Sequence, residues 1–209
     1  MTRSRYPVPA GWYRHETEVK HSRFIATICP TADREQSEAF VQQIRHEFAN
    51  ANHNCWARVI GAPGCTTQAG MSDDGEPQGA AGKPMLTALL HAPVGDITVV
   101  VSRYFGGTRL GKGGMARAYT DAVLQALERL PLREKISLSR LQILCDYSWL
   151  ASIQYLLADY EATIDATQYS DCIQIELSLP REHAQRFSLH LSELSHGRIA
   201  IRAQPLDNE

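Results

Sequence analysis

Apolar and polar positions follow two periods along this chain, alternation and helical recurrence, and the order in which they come predicts two successive α/β units. Residues 12–20 alternate as a strand, and residues 24–29 form a second strand that Pro30 ends. Thr31 or Asp33 then opens a helix whose apolar residues Phe40, Val41, Ile44 and Phe48 share one face. Residues 53–60 read as a strand with His53, Cys55 and Ala57 on one side. Residues 82–90 predict a short helix with Pro84 in its first turn, where a missing N–H is harmless. Residues 97–101 form a wholly apolar strand, and a helix from about Gly114 to Leu130 buries Ala118, Ala122, Val123, Ala126 and Leu127 before Pro131 closes it.

From Ser137 the units shorten. A strand at 138–146, a helix at 149–160, strands at 162–169 and 172–179, a helix after Pro180 to about Ser195 and a strand at 198–203 give the order β-α-β-β-α-β. That is the split βαβ order of the ferredoxin-like fold. The expected division is therefore a first domain over 1–135 and a second over 136–209. Four-stranded sheets of this kind bind RNA through exposed aromatics, but the clearly alternating strand at 172–179 carries none, which argues against RNA binding on that face.

Between the apolar strand and the long helix of the first domain lies a glycine cluster. Gly106, Gly107, Gly111, Gly113 and Gly114 fall within nine positions, and every charged residue from Ile97 to Thr120 is a cation: Arg103, Arg109, Lys112 and Arg117. A strand that feeds a cationic glycine loop and a helix start aims backbone N–H groups and the positive dipole end at an anion. Two familiar phosphate fingerprints fail at the residue their chemistry needs. Gly106 with Gly111-Lys112 has nucleotide P-loop spacing, yet Gly113 stands where a Ser or Thr hydroxyl must hold magnesium. Residues 111–116 match a dinucleotide pattern but do not open directly off the strand.

The acidic counterpart precedes it. Asp73, Asp74 and Glu76 sit in a loop punctuated by Gly75, Pro77, Gly79, Gly82 and Pro84. Paired carboxylates serve acid and base catalysis or hold a hard cation, but no calcium-loop spacing is present, and the simpler expectation is that these acids order the loop or pair with nearby cations. The His53 and Cys55 pair invites a nucleophile reading; a buried, structural thiol is the stronger one.

Taken together, Lys20-x-Ser22-Arg23-Phe24, His53-x-Cys55-x-Ala57, Asp73-Asp74-Gly75-Glu76-Pro77, Gly79-x-Ala81-Gly82-Lys83-Pro84 and Arg103-Tyr104-Phe105-Gly106-Gly107 with Leu110-Gly111 and Gly113-Gly114 resemble the Impact family, in its bacterial two-domain YigZ-like branch. The resemblance spans nearly the whole chain. It departs at Ala80, where the family usually has Thr, and at Thr108, where it has an aliphatic residue. It implies an N-terminal ribosomal-protein-like α/β domain, a C-terminal ferredoxin-like domain similar to parts of elongation factor G, and a role in translation regulation and stress response, with no established enzymatic activity.

Composition narrows this further. The 209 residues carry 21 Lys and Arg against 23 Asp and Glu, and 44% are hydrophobic, as in ordinary globular proteins. The charge is divided unevenly: residues 1–135 hold 16 of the basic and 13 of the acidic side chains, a balance of +3, and residues 136–209 hold 5 against 10, a balance of −5. The first domain is the expected anion binder. The N-terminal stretch holds no apolar run, which argues against a signal peptide or a membrane span and for a cytoplasmic protein. Five scattered cysteines without a C-x-x-C pair read as reduced thiols.

The expectation is a non-enzymatic translation-associated regulator, without cofactor or metal, that binds RNA or a ribosome-associated protein. Its contacts would come from Arg103, Arg109, Lys112, Arg117, Lys83 and Arg23, with close backbone approach at Gly106, Gly107, Gly111, Gly113 and Gly114. The competing expectation is a small-molecule hydrolase or transferase that holds a phosphate on the glycine loop opposite Asp73, Asp74 and Glu76.

Overall fold

The computed structural model describes residues 4–204, which divide into two compact units between Lys135 and Ile136. The first contains β1 (Arg5–Pro9), β2 (Tyr13–Val19), β3 (Ser22–Pro30), α1 (Arg34–Glu47), β4 (His53–Ile60), β5 (Gln68–Ser72), α2 (Gly82–His91), β6 (Ile97–Tyr104), α3 (Gly111–Glu128) and β7 (Leu132–Ile136). Five strands form one sheet in the order β2-β3-β6-β4-β5, and β1 pairs with β7 apart from it. Each neighbouring pair in the five-stranded sheet is antiparallel.

The central strand β6 is buried on both faces, which is why its sequence runs apolar without alternation. Its residues Ile97, Val99 and Val101 join Phe24, Cys55, Ala57 and Val59 under α2 and α3, which contribute Met85, Leu89, Ala118, Tyr119 and Ala122. Val100 points the other way and packs with Phe40, Val41 and Ile44 of α1. Helices therefore cover both faces. The Asp33 carboxylate accepts from the Gln36 N–H at 2.7 Å, capping α1, and the Gln36 side chain reaches back to the Ala32 N–H.

Three strands lie where the sequence predicts none. β1 carries two prolines, which disfavour a sheet interior, and its pairing with β7 outside the main sheet tolerates them; its side chains Tyr6 and Val8 are buried. β5, Gln-Ala-Gly-Met-Ser, has little strand propensity and is held as an edge by its ladder to β4. The helix α3 also begins at Gly111 rather than Gly114, so three glycines occupy its exposed first turn.

The second unit contains β8 (Leu138–Cys145), α4 (Leu150–Leu157), β9 (Thr163–Tyr169), β10 (Ile173–Pro180), α5 (Arg181–Leu194) and β11 (Ala200–Gln204). The sheet order β11-β8-β10-β9, antiparallel throughout, is the ferredoxin-like arrangement. Its core is Ile143, Ile153, Ile175, Phe187 and Leu191, all inaccessible. No helix among the described residues is long and apolar enough to cross a membrane.

Urea denaturation distinguishes the two kinds of stabilisation. Asp33→Ala, which removes a cap, is expected to lower stability by about 1 kcal/mol. Ile175→Ala, which empties part of the second core, should cost about 2–5 kcal/mol.

Candidate functional site

The sheet topology decides where the two unusual loops meet. β4 lies between β5 and β6 and is antiparallel to both, so β5 and β6 run in the same direction and release their following loops at the same end of the sheet. The acidic loop leads from β5 into α2, and the glycine loop leads from β6 into α3. The start of β4 lies there too, since His53 pairs with Arg103, and so does the β2–β3 hairpin, since Arg23 pairs with Tyr104.

Each acid of the acidic loop is committed. The Asp73 carboxylate accepts from three backbone N–H groups, Gly79 at 2.8 Å, Ala81 at 3.0 Å and Gly82 at 2.8 Å. Burial works to raise its pKa, but those donors, helped by Lys112, bring it below the ordinary carboxylate value. Asp74 accepts from Arg45 and from the Asn54 N–H at 2.7 Å. Glu76 is buried and accepts from Arg103 at 2.5 Å and from the Tyr119 hydroxyl at 2.8 Å. Cys55 donates to the Asp73 carbonyl at 2.9 Å and lies 3.3 Å from the Tyr119 hydroxyl. Burial pushes the Cys55 thiol up to about 12 and raises Tyr119 as well. A thiol so high is an inert one.

The glycine loop is built for close approach. A Cβ on Gly106 would fall 1.9 Å from the His21 carbonyl carbon, so only glycine lets the loop lie against the hairpin, where its N–H donates to the Ser22 hydroxyl at 3.1 Å. Gly107 follows at a φ of +86°, in the left-handed region that glycine adopts without strain. The helix α3 then starts with Leu110 at its N-cap, no side-chain cap and no acid in its first turn. Its first N–H groups have no intrahelical partner. The contrast with α2 is direct, because Asp73 binds the Ala81 and Gly82 N–H groups at the start of that helix. One of the two adjacent helix starts is neutralised and the other is open.

A cleft of about 360 Å³ lies between the loops, lined by Asn52, His53, Glu76, Phe105, Arg109 and Gly111 among others. The sequence-selected residues divide around it. Arg103 sits in its wall, 6% exposed, held by Glu76 and by ring contacts to Phe24 and Phe105. Arg109 and Gly111 line it directly. Lys112, Gly113, Gly114 and Arg117 are exposed on the first turns of α3, and Arg109, Lys112 and Arg117 form no salt bridge among the described residues. Arg23 is exposed, pairs with Glu16 at 2.6 Å and lies over the Tyr104 ring. Lys83 lies elsewhere, beside a larger hollow of about 740 Å³ between α2 and α3. That hollow is mainly apolar and contains none of the buried polar cluster, so its size does not make it the site. No group of three or more His, Cys, Asp or Glu among the described residues is arranged to hold a metal.

Sequence reasoning missed Tyr119, Asn52 and Phe105 as members of this site. A tyrosine inside the apolar stripe of α3 was the available signal, since a buried hydroxyl requires a partner.

The Impact N-terminal domain model matches residues 20–127, and the model of a domain of unknown function, DUF1949, matches residues 143–198. The chain is 40% identical to an IMPACT family member of Haemophilus influenzae over 95% of this chain and 97% of that one. It is 40% identical to the IMPACT family member YigZ of Escherichia coli over 94% and 96%, and 34% identical to YvyE of Bacillus subtilis over 90% and 86%. A solved structure described as that of a hypothetical protein is similar at 38% identity and a TM-score of 0.70, covering 98% of this chain and all of that one.

Removing one member of the buried ion pair leaves the other uncompensated, so Glu76→Ala is expected to destabilise the first unit by about 3–5 kcal/mol in urea melts, and the double replacement of Glu76 by Leu and Arg103 by Met to recover much of the loss. Asp73 has a folded-state pKa below its ordinary value of 3.8. Its contribution to stability is therefore complete above that value and disappears as pH falls through the lower folded value. Melting curves across this acid range should be less pH-dependent for Asp73→Asn than for the wild type.

Proposed function

We propose that this chain, which belongs to the Impact family, acts around translation in the cytoplasm as a non-enzymatic RNA-binding protein, taking the phosphate backbone at the open N-terminus of α3. One observation carries the reading: of two neighbouring helix starts, α2 is capped by a carboxylate and α3 is left uncapped beside Arg109 and Lys112, which form no salt bridge among the described residues. Anions belong at such a terminus. The positive balance of residues 1–135 adds a longer-range attraction for a polyanion.

The shared cleft gives some support to a second reading, a hydrolase or transferase acting on a phosphorylated small molecule. Against it stands the commitment of all three carboxylates, since a general base needs a free acceptor within reach of the substrate. Asp73 is spent on three N–H groups and Glu76 on a guanidinium and a phenol. A binding site uses these groups as they stand.

Sedimentation through sucrose gradients at low and high salt tests the function. Co-migration with ribosomes or RNA at low salt and release at high salt are expected. A protein that stays with free proteins in both, and is not retained with RNA on filters, overturns the proposal; binding to ribosomal particles that survives high salt and nuclease points instead to a protein partner. In RNA titrations, Arg109→Ala and Lys112→Ala should each flatten the plot of log affinity against log salt by about 0.7–0.9 in slope.

A further inference from the structure

Phe105 leaves β6 at the mouth of the cleft with 48% of its surface exposed. An exposed aromatic beside a cleft that also holds Asn52, His53, Glu76 and Arg109 is not accounted for by the core. The chain around it is nevertheless fixed: the Phe105 N–H donates to Asn52 Oδ1 at 2.7 Å, and the Tyr104 hydroxyl donates to Asn50 Oδ1 at 2.6 Å. The Arg103 guanidinium lies 5.9 Å from the Phe105 ring centroid and 5.5 Å from that of Phe24. The ring is thus a presented surface, backed by an arginine that is itself immobilised by Glu76.

The cleft wall also holds unused hydrogen-bonding capacity. Arg103 is more than nine-tenths buried, and its Nε carries an N–H with no partner. His53 Nδ1 is 2.8 Å from the Asp74 carbonyl oxygen; a carbonyl only accepts, so Nδ1 donates, and Nε2 lies 4.0 Å from a Glu76 carboxylate oxygen. Asn52 gives its oxygen to Phe105 and keeps its amide donors. A volume of about 360 Å³ falls within the range of small-ligand pockets.

We propose that this cleft seats one unpaired base of a single-stranded RNA, stacked on Phe105, with the adjoining phosphates running across the start of α3 past Arg109 and Lys112. This deepens the RNA-binding reading above and rests on it. Stacking on an aromatic needs a base free of its helix, because the bases of an A-form duplex are stacked on one another and withdrawn from side chains. The amide donors of Asn52 supply polar partners for a base edge and the exposed Phe105 ring a stacking face, which a site for bare phosphate does not need.

Fluorescence anisotropy with the full chain tests it, using a labelled 12-nucleotide single-stranded RNA and the corresponding duplex. The wild type should prefer the single strand. Phe105→Ala should weaken single-strand binding by roughly 5- to 100-fold, the range for loss of one stacked base, and bring the preference towards parity; Phe105→Trp should restore it, with quenching of the new indole on binding. Circular dichroism checks that both variants fold. Single-strand affinity unchanged in Phe105→Ala overturns the base seat while leaving phosphate binding at α3 intact, provided the salt slope still responds to Arg109→Ala. Displacement of the oligonucleotide by micromolar nucleoside monophosphate overturns the assignment to RNA and identifies a free-nucleotide site. A wild-type protein that binds neither RNA overturns this inference together with the reading it rests on.

Discussion

The ion pair between Glu76 and Arg103 is the interaction on which the arrangement of this end of the molecule depends. Both residues are buried, and neither charge tolerates that burial without the other. Glu76 belongs to the loop before α2, Arg103 to the end of β6, and Tyr119, which also donates to Glu76, to α3. A single carboxylate thus ties a loop, a strand and a helix that are separated by up to 43 residues. Because the alternative is an uncompensated charge, the tie fixes the loop against the sheet far more firmly than the exposed pairs elsewhere, such as Arg34 with Glu38, which sit in water and contribute little.

The same network explains why the site has a single sign. Asp73 and Asp74 are turned inward to backbone N–H groups and Arg45, Glu76 to Arg103 and Tyr119, so a loop that is acidic in sequence presents little free negative charge to the cleft. Arg109 and Lys112, at the uncapped start of α3, form no salt bridge among the described residues, although Lys112 is near enough to Asp73 to help hold its pKa down. An acidic stretch has been used as internal mortar, and the field left over is positive. Acid–base chemistry would call for the reverse allocation, with a carboxylate kept free and its neighbours arranged to tune it.

The two units divide the chemistry between them. The proposed anion site and its cationic surroundings all belong to the first, while the second is a ferredoxin-like sheet with a well-formed apolar core and an acidic balance. Within the second unit, the exposed pair Tyr147 and Tyr169 stack on one another, with centroids 6.4 Å apart, so these rings already have partners.

Periodicity by itself determined the helices and most strands of both units, because burial of one face writes itself into spacing: β4 runs over His53–Ile60 as the alternation requires, and α1 begins after Asp33 because a carboxylate there can cap it. The family was legible in motif order, and so was the cationic character of the glycine loop. Periodicity could not reveal β1, β5 and β7: β1 and β7 pair only with each other, more than a hundred residues apart, and β5 has little strand propensity and is held as an edge by its ladder to β4. Only the tertiary structure decided which charges remain available. Arg103 and Arg109 are equivalent in sequence, two cations flanking the same glycines, yet one is buried against Glu76 and the other exposed at the cleft. The difference arises because β4 runs between β5 and β6 and brings both loops to one end of the sheet, where a carboxylate 27 residues away in the chain comes within hydrogen-bonding distance of one arginine and not the other.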